Sequence, residues 1–237
     1  MSIKIGHASI DEKGKAKNGQ SGDQNGKEVF TRNWYNGGWG FLARAKDPEV
    51  AEAIAKAAAA GCANDLIGYD QNQRNTLLTR AKAVDWDLAK ISKACECDCS
   101  SFVTCCVMAS GIQIWSGGNA PTTATLRNAL KKSGAFEILT ESKYISSADC
   151  LRRGDILVRP KTSKRGGHTV IIVDGAEPPK PVQKPEYIIH TVVKGNSLWA
   201  ISRKYLGSGH RYKEIMELNG LSSTVIHVGQ KLKIPKE

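Results

Sequence analysis

Two stretches carry residue types that could break an amide. The first is Asp98-Cys99-Ser100-Ser101-Phe102-Val103, which leads into an apolar run ending at Met108. Asp98 suits a helix cap, Ser100 and Ser101 suit a first turn, and Gly111 suits a stop. The run is apolar on nearly every face, so the helix is expected to be buried with Cys99 at its start. The positive end of the helix dipole there is expected to lower the thiol pKa, as a nucleophilic cysteine requires. Taken alone, the same stretch also fits an inert buried cysteine. The second stretch is Gly166-Gly167-His168-Thr169-Val170-Ile171-Ile172-Val173, a glycine turn feeding a β-branched strand whose first residue is a histidine. An imidazole at a strand end can take a proton from a thiol and return it to a leaving amine.

These two motifs resemble the signatures of NlpC-type, papain-like cell-wall hydrolases, with the phage amidase branch as the best match. Arg153-Gly154-Asp155-Ile156-Leu157 matches the turn and strand that this family sets before its histidine strand. The resemblance covers residues 1–176 and implies an α+β catalytic domain: an antiparallel sheet packed on a nucleophile helix. It implies Cys99 as nucleophile and His168 as base, acting on an amide of the peptidoglycan stem peptide.

A Cys-His hydrolase also needs a polar group that orients the imidazole. The family supplies it from the strand after the histidine strand, and here the chain runs into a proline-rich segment instead. Asp174 is near in sequence and a further candidate, but six residues along a strand span about 20 Å, out of reach of His168 unless the chain bends. The N-terminal strands could complete the sheet. They bring Asp23, the first choice as orienter, with His7 as the alternative. Gln24 is a candidate oxyanion donor beside the Cys99 amide. Asp23 and Gln24 lie in a polar Gly22–Gly26 loop that resembles a segment of phage lysins of this type. Tyr69 falls where the family tends to place a tyrosine near the nucleophile, and a packing role fits it equally.

The elements that must carry these groups read as follows. Ile3 to Ile10 alternates as a strand, and Glu28 to Tyr35 reads as another. Asp47, Pro48, Glu49 and Glu52 open a helix that continues to Leu66 and stops at Gly68. A second helix spans residues 75–93, with Leu77, Leu78, Ala81, Val84 and Leu88 inward. Cys95 and Cys97 lie in a loop. Pro121-Thr122-Thr123 opens a helix ending at Gly134. Strands cover Asp155 to Arg159 and Thr169 to Val173.

Residues 177–186 hold four of the chain's eight prolines and read as an extended linker. Beyond it, residues 187–237 read strand-helix-helix-strand. Val193-Lys194-Gly195-Asn196-Ser197-Leu198-Trp199 and Gly229-Gln230-Lys231-Leu232-Lys233-Ile234-Pro235 closely resemble a LysM module. That resemblance implies binding to N-acetylglucosamine chains, with Gly195, Asn196, Ser197 and Leu198 beside the groove. Asn196 or Ser197 is expected to cap the helix, and Asn196, in place of the usual Asp, is expected to serve as well as Asp would. A core role is expected for Trp199.

The chain has 237 residues, room for one ordinary domain plus a small one. Its formal charge of +11 calls for an anionic partner. The basic patches are short and lack interleaved aromatics, which argues against nucleic acid; an anionic cell envelope fits. No apolar run approaches a membrane span and no N-terminal signal peptide is recognisable, so synthesis in a host cytoplasm and action on the wall after release are expected. Seven cysteines, an odd number, argue against a disulfide framework. The spacing Cys95-Glu96-Cys97-Asp98-Cys99 argues against zinc. No cofactor, no membrane partner and a monomer are expected. Two other classes share these motifs: a wall-binding protein with a decayed hydrolase domain, and a Cys-His acyl transferase.

Overall fold

The computed structural model describes residues 3–21, 27–177 and 187–236 and falls into two compact units, Met1–Pro181 and Val182–Glu237. Asp23, Gln24 and nearly all of the proline-rich segment lie outside the described residues.

The first unit is a mixed α+β structure. In chain order it contains β1 (Lys4–Ala8), β2 (Val29–Asn33), β3 (Phe41–Ala45), α1 (Pro48–Cys62), β4 (Ile67–Tyr69), α2 (Thr76–Lys82), β5 (Cys95–Cys97), α3 (Cys99–Ala109), α4 (Leu126–Lys132), β6 (Phe136–Leu139), α5 (Ser142–Ile145), β7 (Ile156–Arg159) and β8 (His168–Asp174). Six strands form one sheet in the order β2-β1-β8-β7-β3-β6, every neighbouring pair antiparallel. Strand alternation sorts its side chains between two cores. Ala8, Phe41, Ala43, Ile156, Val158, Ile171 and Val173 join the core that includes α1 and α3. Ile5, Leu42, Leu157, Val170 and Ile172 pack on the other face with Trp39 and Leu151.

α3 is the hub. Ten of its eleven residues are buried, which matches an element apolar all round. Asp98 caps it: Asp98 Oδ1 accepts from the Ser101 amide at 2.7 Å, and Ser101 Oγ accepts from the Asp98 amide at 2.8 Å. α1 crosses α3 closely at Gly61, where an added Cβ would sit 2.7 Å from Phe102 and 2.8 Å from Leu88. α1 itself starts as expected, with Asp47 accepting from the Glu49 amide at 2.8 Å.

Several element boundaries differ from the sequence expectations. α1 stops at Cys62, where Ala63 and Asn64 turn the chain into β4. The helix expected over 75–93 ends at Lys82. Asp85 and Trp86 adopt positive φ of 52° and 64°, and a short 3-10 turn holds Leu88–Lys90. The segment with Cys95 and Cys97 is a strand, paired in parallel with β4 so that Tyr69 lies opposite Cys97. β3 was not expected, although it is central: it is buried on both faces and shows no alternation of polarity.

The second unit pairs β9 (Tyr187–Thr191) with β10 (Lys231–Pro235) antiparallel, and adds α6 (Leu198–Leu206) and α7 (Tyr212–Leu218). Val192, Leu198, Ile201, Leu206, Ile215, Leu232 and Ile234 form its core. Gly207, at φ 68°, ends α6 in the left-handed conformation that glycine favours.

The α1–α3 crossing yields a test. Gly61→Ala would raise helix propensity by about 1 kcal/mol in an open helix. Here the overpacking against Phe102 and Leu88 should destabilise the unit by about 1–3 kcal/mol, read from the midpoint of urea unfolding.

Candidate active site

Cys99 is the first residue of α3, and β8 begins at His168 directly beside it. The Thr169 amide donates toward the Cys99 sulfur, as does the Ser100 amide. Thr169 Oγ1 donates to Leu157 O at 2.9 Å, so the strand start is pinned from the helix side. The His168 ring points to the other face of the sheet, the one shared with Val170 and Ile172. The thiol meets the strand backbone at Thr169, while the imidazole projects from the opposite face of the same strand end. No hydrogen bond joins them in this state, a common feature of hydrolase sites without substrate.

His168 is held from two sides. Trp39 stacks on it, with ring centroids 6.0 Å apart and planes 27° apart. On the neighbouring strand β1, His7 Nδ1 lies 3.4 Å from His168 Nε2, with the rings edge to face. One of those nitrogens carries the hydrogen and the other accepts it. The contact leaves His168 Nδ1 as the nitrogen available to a thiol. Phe30, opposite His7 in the β1–β2 pair, closes the far side of His7 with ring centroids 4.7 Å apart.

The start of α3 is clamped by Arg74, a residue that no sequence motif singles out. Its Nε donates to Asp98 Oδ2 at 2.6 Å, and Nη2 donates to Asp98 Oδ1 at 3.2 Å and Ser100 Oγ at 3.0 Å. The same guanidinium reaches the carbonyls of Ala120 and Pro121, both at 2.9 Å. The segment it grips ends in Thr123, which packs so tightly on Gly167 that a Cβ there would fall 1.9 Å from Thr123 Oγ1. One arginine thus ties the cysteine turn to the loop behind the histidine turn.

Burial decides the charge state. It pushes the Cys99 thiol up to about 12, with Asp98 adding to the rise; the Thr169 amide, Arg74 and the Ser100 amide act against it without prevailing. This reverses the expected lowering by the helix terminus, because removing a thiolate from water outweighs a partial positive charge. Burial also drives His168 down to about 3, helped by His7, Arg159 and Arg32, and His7 down to about 4, helped by Arg32. The resting site is a neutral thiol beside two neutral imidazoles. Cys99 keeps 6 % and His168 8 % of its surface exposed, so both are nearly closed off from solvent.

Among the other sequence candidates, Tyr69 is buried next to the site: burial raises its pKa, and Cys99 is the largest electrostatic contributor. Gln71 Nε2 donates to its hydroxyl at 3.2 Å. Asp174 sits at the far end of β8, opposite Lys4. Asp23 and Gln24 lie outside the described residues. In the second unit, Gly195 turns the chain at φ 89°. Ser197 is the helix cap, accepting from the Ala200 amide at 3.2 Å. Asn196 does not cap; its Oδ1 instead accepts from His190 Nε2 at 2.8 Å and from the Val193 amide at 3.2 Å. Leu198 is buried in the core, so its side chain is not free to touch a ligand, and Trp199, expected in the core, is 46 % exposed.

The buried titrating groups set a stability window. Between the ordinary histidine value of 6.5 and the lowered values of about 3 and 4, the unfolded chain binds protons that folded His168 and His7 refuse. Their contribution is complete above pH 6.5 and lost as pH falls. Above pH 9 the signs reverse for Cys62, Cys95 and Cys99, whose thiols are raised to about 11, 12 and 12 and ionise first in the unfolded chain. Thermal melts should therefore peak between about pH 6.5 and 9, and His7→Asn should reduce the slope of the acid limb. An unchanged slope would place the acid sensitivity elsewhere.

Comparison with known proteins adds a family. The endolysin-like domain matches residues 5–178, and the LysM domain matches residues 190–235. An N-acetylmuramoyl-L-alanine amidase of Staphylococcus epidermidis is 52% identical over 46 residues, 19% of this chain and 13% of that protein. An autolysin of Enterococcus faecalis is 31% identical over 127 residues, 50% of this chain and 15% of that one. A probable endopeptidase p60 of Listeria welshimeri is 41% identical over 54 residues, 23% of this chain and 10% of that one. The chain spans well under a fifth of the length of each of these relatives. No solved structure matches. With the family's domain covering most of its length, the chain belongs to the endolysin-like domain family and carries a LysM domain after it.

Proposed function

We propose that this chain is a peptidoglycan hydrolase in which Cys99 attacks an amide of the stem peptide, His168 is the base, and His7 orients it. The observation that carries the reading is the 3.4 Å contact between His7 Nδ1 and His168 Nε2, one strand from the cysteine that opens α3. It supplies the third polar group that a Cys-His hydrolase needs. His7 is preferred to Asp23 because it abuts the imidazole. The first relatives above are an amidase, an autolysin and a probable endopeptidase, which favours hydrolysis of the wall over acyl transfer.

The chemistry follows from the neutral resting state. Substrate binding brings the thiol and His168 Nδ1 together; the thiol proton passes to the imidazole as the sulfur attacks the carbonyl carbon. The Cys99 backbone amide at the start of α3 is the donor proposed for the oxyanion. His168 then protonates the leaving amine, and water, deprotonated by the same ring, releases the acyl group from sulfur. His7 stabilises the imidazolium by accepting its Nε2 hydrogen. The LysM unit raises the local concentration of enzyme on the glycan without changing the chemical step. The bond is either the muramoyl-alanine amide or a peptide bond further along the stem. Release of the enzyme to the wall by a phage lysis system fits this reading.

Two outcomes test it. Cys99→Ala should abolish release of soluble fragments from purified walls while leaving co-sedimentation with those walls intact, and removing residues 187–237 should do the reverse to sedimentation. Continued lysis by Cys99→Ala would end the assignment. His7→Ala should lower kcat by about 10²- to 10⁴-fold with little change in KM, the range for loss of general acid-base assistance. Mass spectrometry of the digested wall identifies the bond that is cut.

A further inference from the structure

Three arginines gather beside His168 and His7, on the sheet face that carries both rings. Arg159 is the cross-strand partner of His168 in the β7–β8 pair, so the two side chains rise from the same face as neighbours. Arg32 lies two residues beyond Phe30, the partner of His7, and shares that face. Its guanidinium stands 4.9 Å over the Tyr35 ring. Arg159 Nη1 and Arg165 Nη2 both donate to one carbonyl, that of Gly37, at 2.6 and 2.9 Å, and Arg159 Nε donates to Gly166 O at 3.0 Å. Two guanidiniums thus converge on the loop that carries Trp39 against His168.

Elsewhere in this unit three half-buried arginines are matched: Arg44 with Asp155, Arg74 with Asp98, Arg153 with Glu52, whereas Arg32 and Arg165 are exposed. Among the described residues, Arg32, Arg159 and Arg165 pair with no carboxylate. Each guanidinium has five N–H donors, and the hydrogen bonds above use only some of them. The arrangement also opposes the chemistry in the absence of substrate. A positive rim disfavours the imidazolium that His168 must become, unless an anion enters with the substrate.

We propose that Arg32, Arg159 and Arg165 form a carboxylate-binding rim on the His168 side of the site, and that the substrate is a peptide bearing a free carboxylate beside the bond that is cut. This rests on the hydrolase reading above and adds the substrate's charge to it. The bound carboxylate takes guanidinium donors in place of water and cancels the field that penalises the imidazolium. Charge recognition therefore acts on turnover as well as on affinity.

The test uses the full chain with Cys99→Ala, so that binding is read without cleavage. Two wall-derived stem peptides are compared by calorimetry, one with its free carboxylate and one with that group as the carboxamide. The acid should bind about 10- to 100-fold more tightly at low salt, as for a hydrogen bond to a charged group. The preference should shrink as ionic strength rises. Arg32→Gln in the same background should reduce the preference several-fold, and Arg32→Lys should restore part of it. The Arg32 side chain makes no hydrogen bond among the described residues, so its replacement leaves the loop clamp of Arg159 and Arg165 in place. Equal affinities, no binding of either peptide, or a preference untouched by Arg32→Gln would overturn the proposal. So would competition by a polyglycerol phosphate chain together with no discrimination between the peptides, which assigns the rim to anionic wall polymers. Fragment release by the unsubstituted chain, measured in parallel, reports on the hydrolase reading separately.

Discussion

The antiparallel pairing of β1 with β8 is the contact on which the catalytic unit depends. It joins the first strand of the unit to the last, with Ile5 opposite Ile172 and Gly6 opposite Ile171. The chain entropy of closing so long a loop must be met by burial on both faces of the sheet. Ile5, Val170 and Ile172 do this on one face, and Ala8, Ile171 and Val173 on the other. Gly6 permits the approach: an added Cβ would sit 3.1 Å from both Cys62 and Val173. The same register sets His7 against His168, so one pairing both closes the sheet and builds the histidine pair.

The second constraint is dehydration. A site sealed this well keeps its ionisable groups neutral, since burial outweighs a helix terminus and a nearby arginine at Cys99. The unit therefore stores reactivity rather than displaying it. A thiol that is protonated at neutral pH is slow to oxidise or to react with passing electrophiles. In the proposed hydrolase, entry of substrate would supply what the resting site lacks: contact between sulfur and imidazole, and compensation for the positive charge at Arg32 and Arg159. The surrounding clamps suit that arrangement. Arg74 fixes the cysteine turn and Thr123 wedges against Gly167, while Trp39 backs the imidazole, so Cys99 and His168 both rest on braced elements.

The amino-acid sequence by itself determined the nucleophile helix, with its Asp98 cap and all-round apolar surface, the glycine turn before His168, and the strand-helix-helix-strand order of the LysM unit. These are local patterns, set by propensity, capping and periodicity within a dozen residues. The tertiary structure decided the rest. β3 carries no alternation because both its faces are buried, and α2 stops early because Asp85 and Trp86 turn left-handed. The helix dipole at Cys99 was legible, but its defeat by burial was not, since desolvation depends on everything packed around the sulfur. His7 was legible as the alternative to Asp23 for the orienting group, but nothing local to it ranked it first. Its place against His168 follows from strand order, and strand order is a property of the folded chain, because it is fixed by which faces must leave water together rather than by any short run of residues.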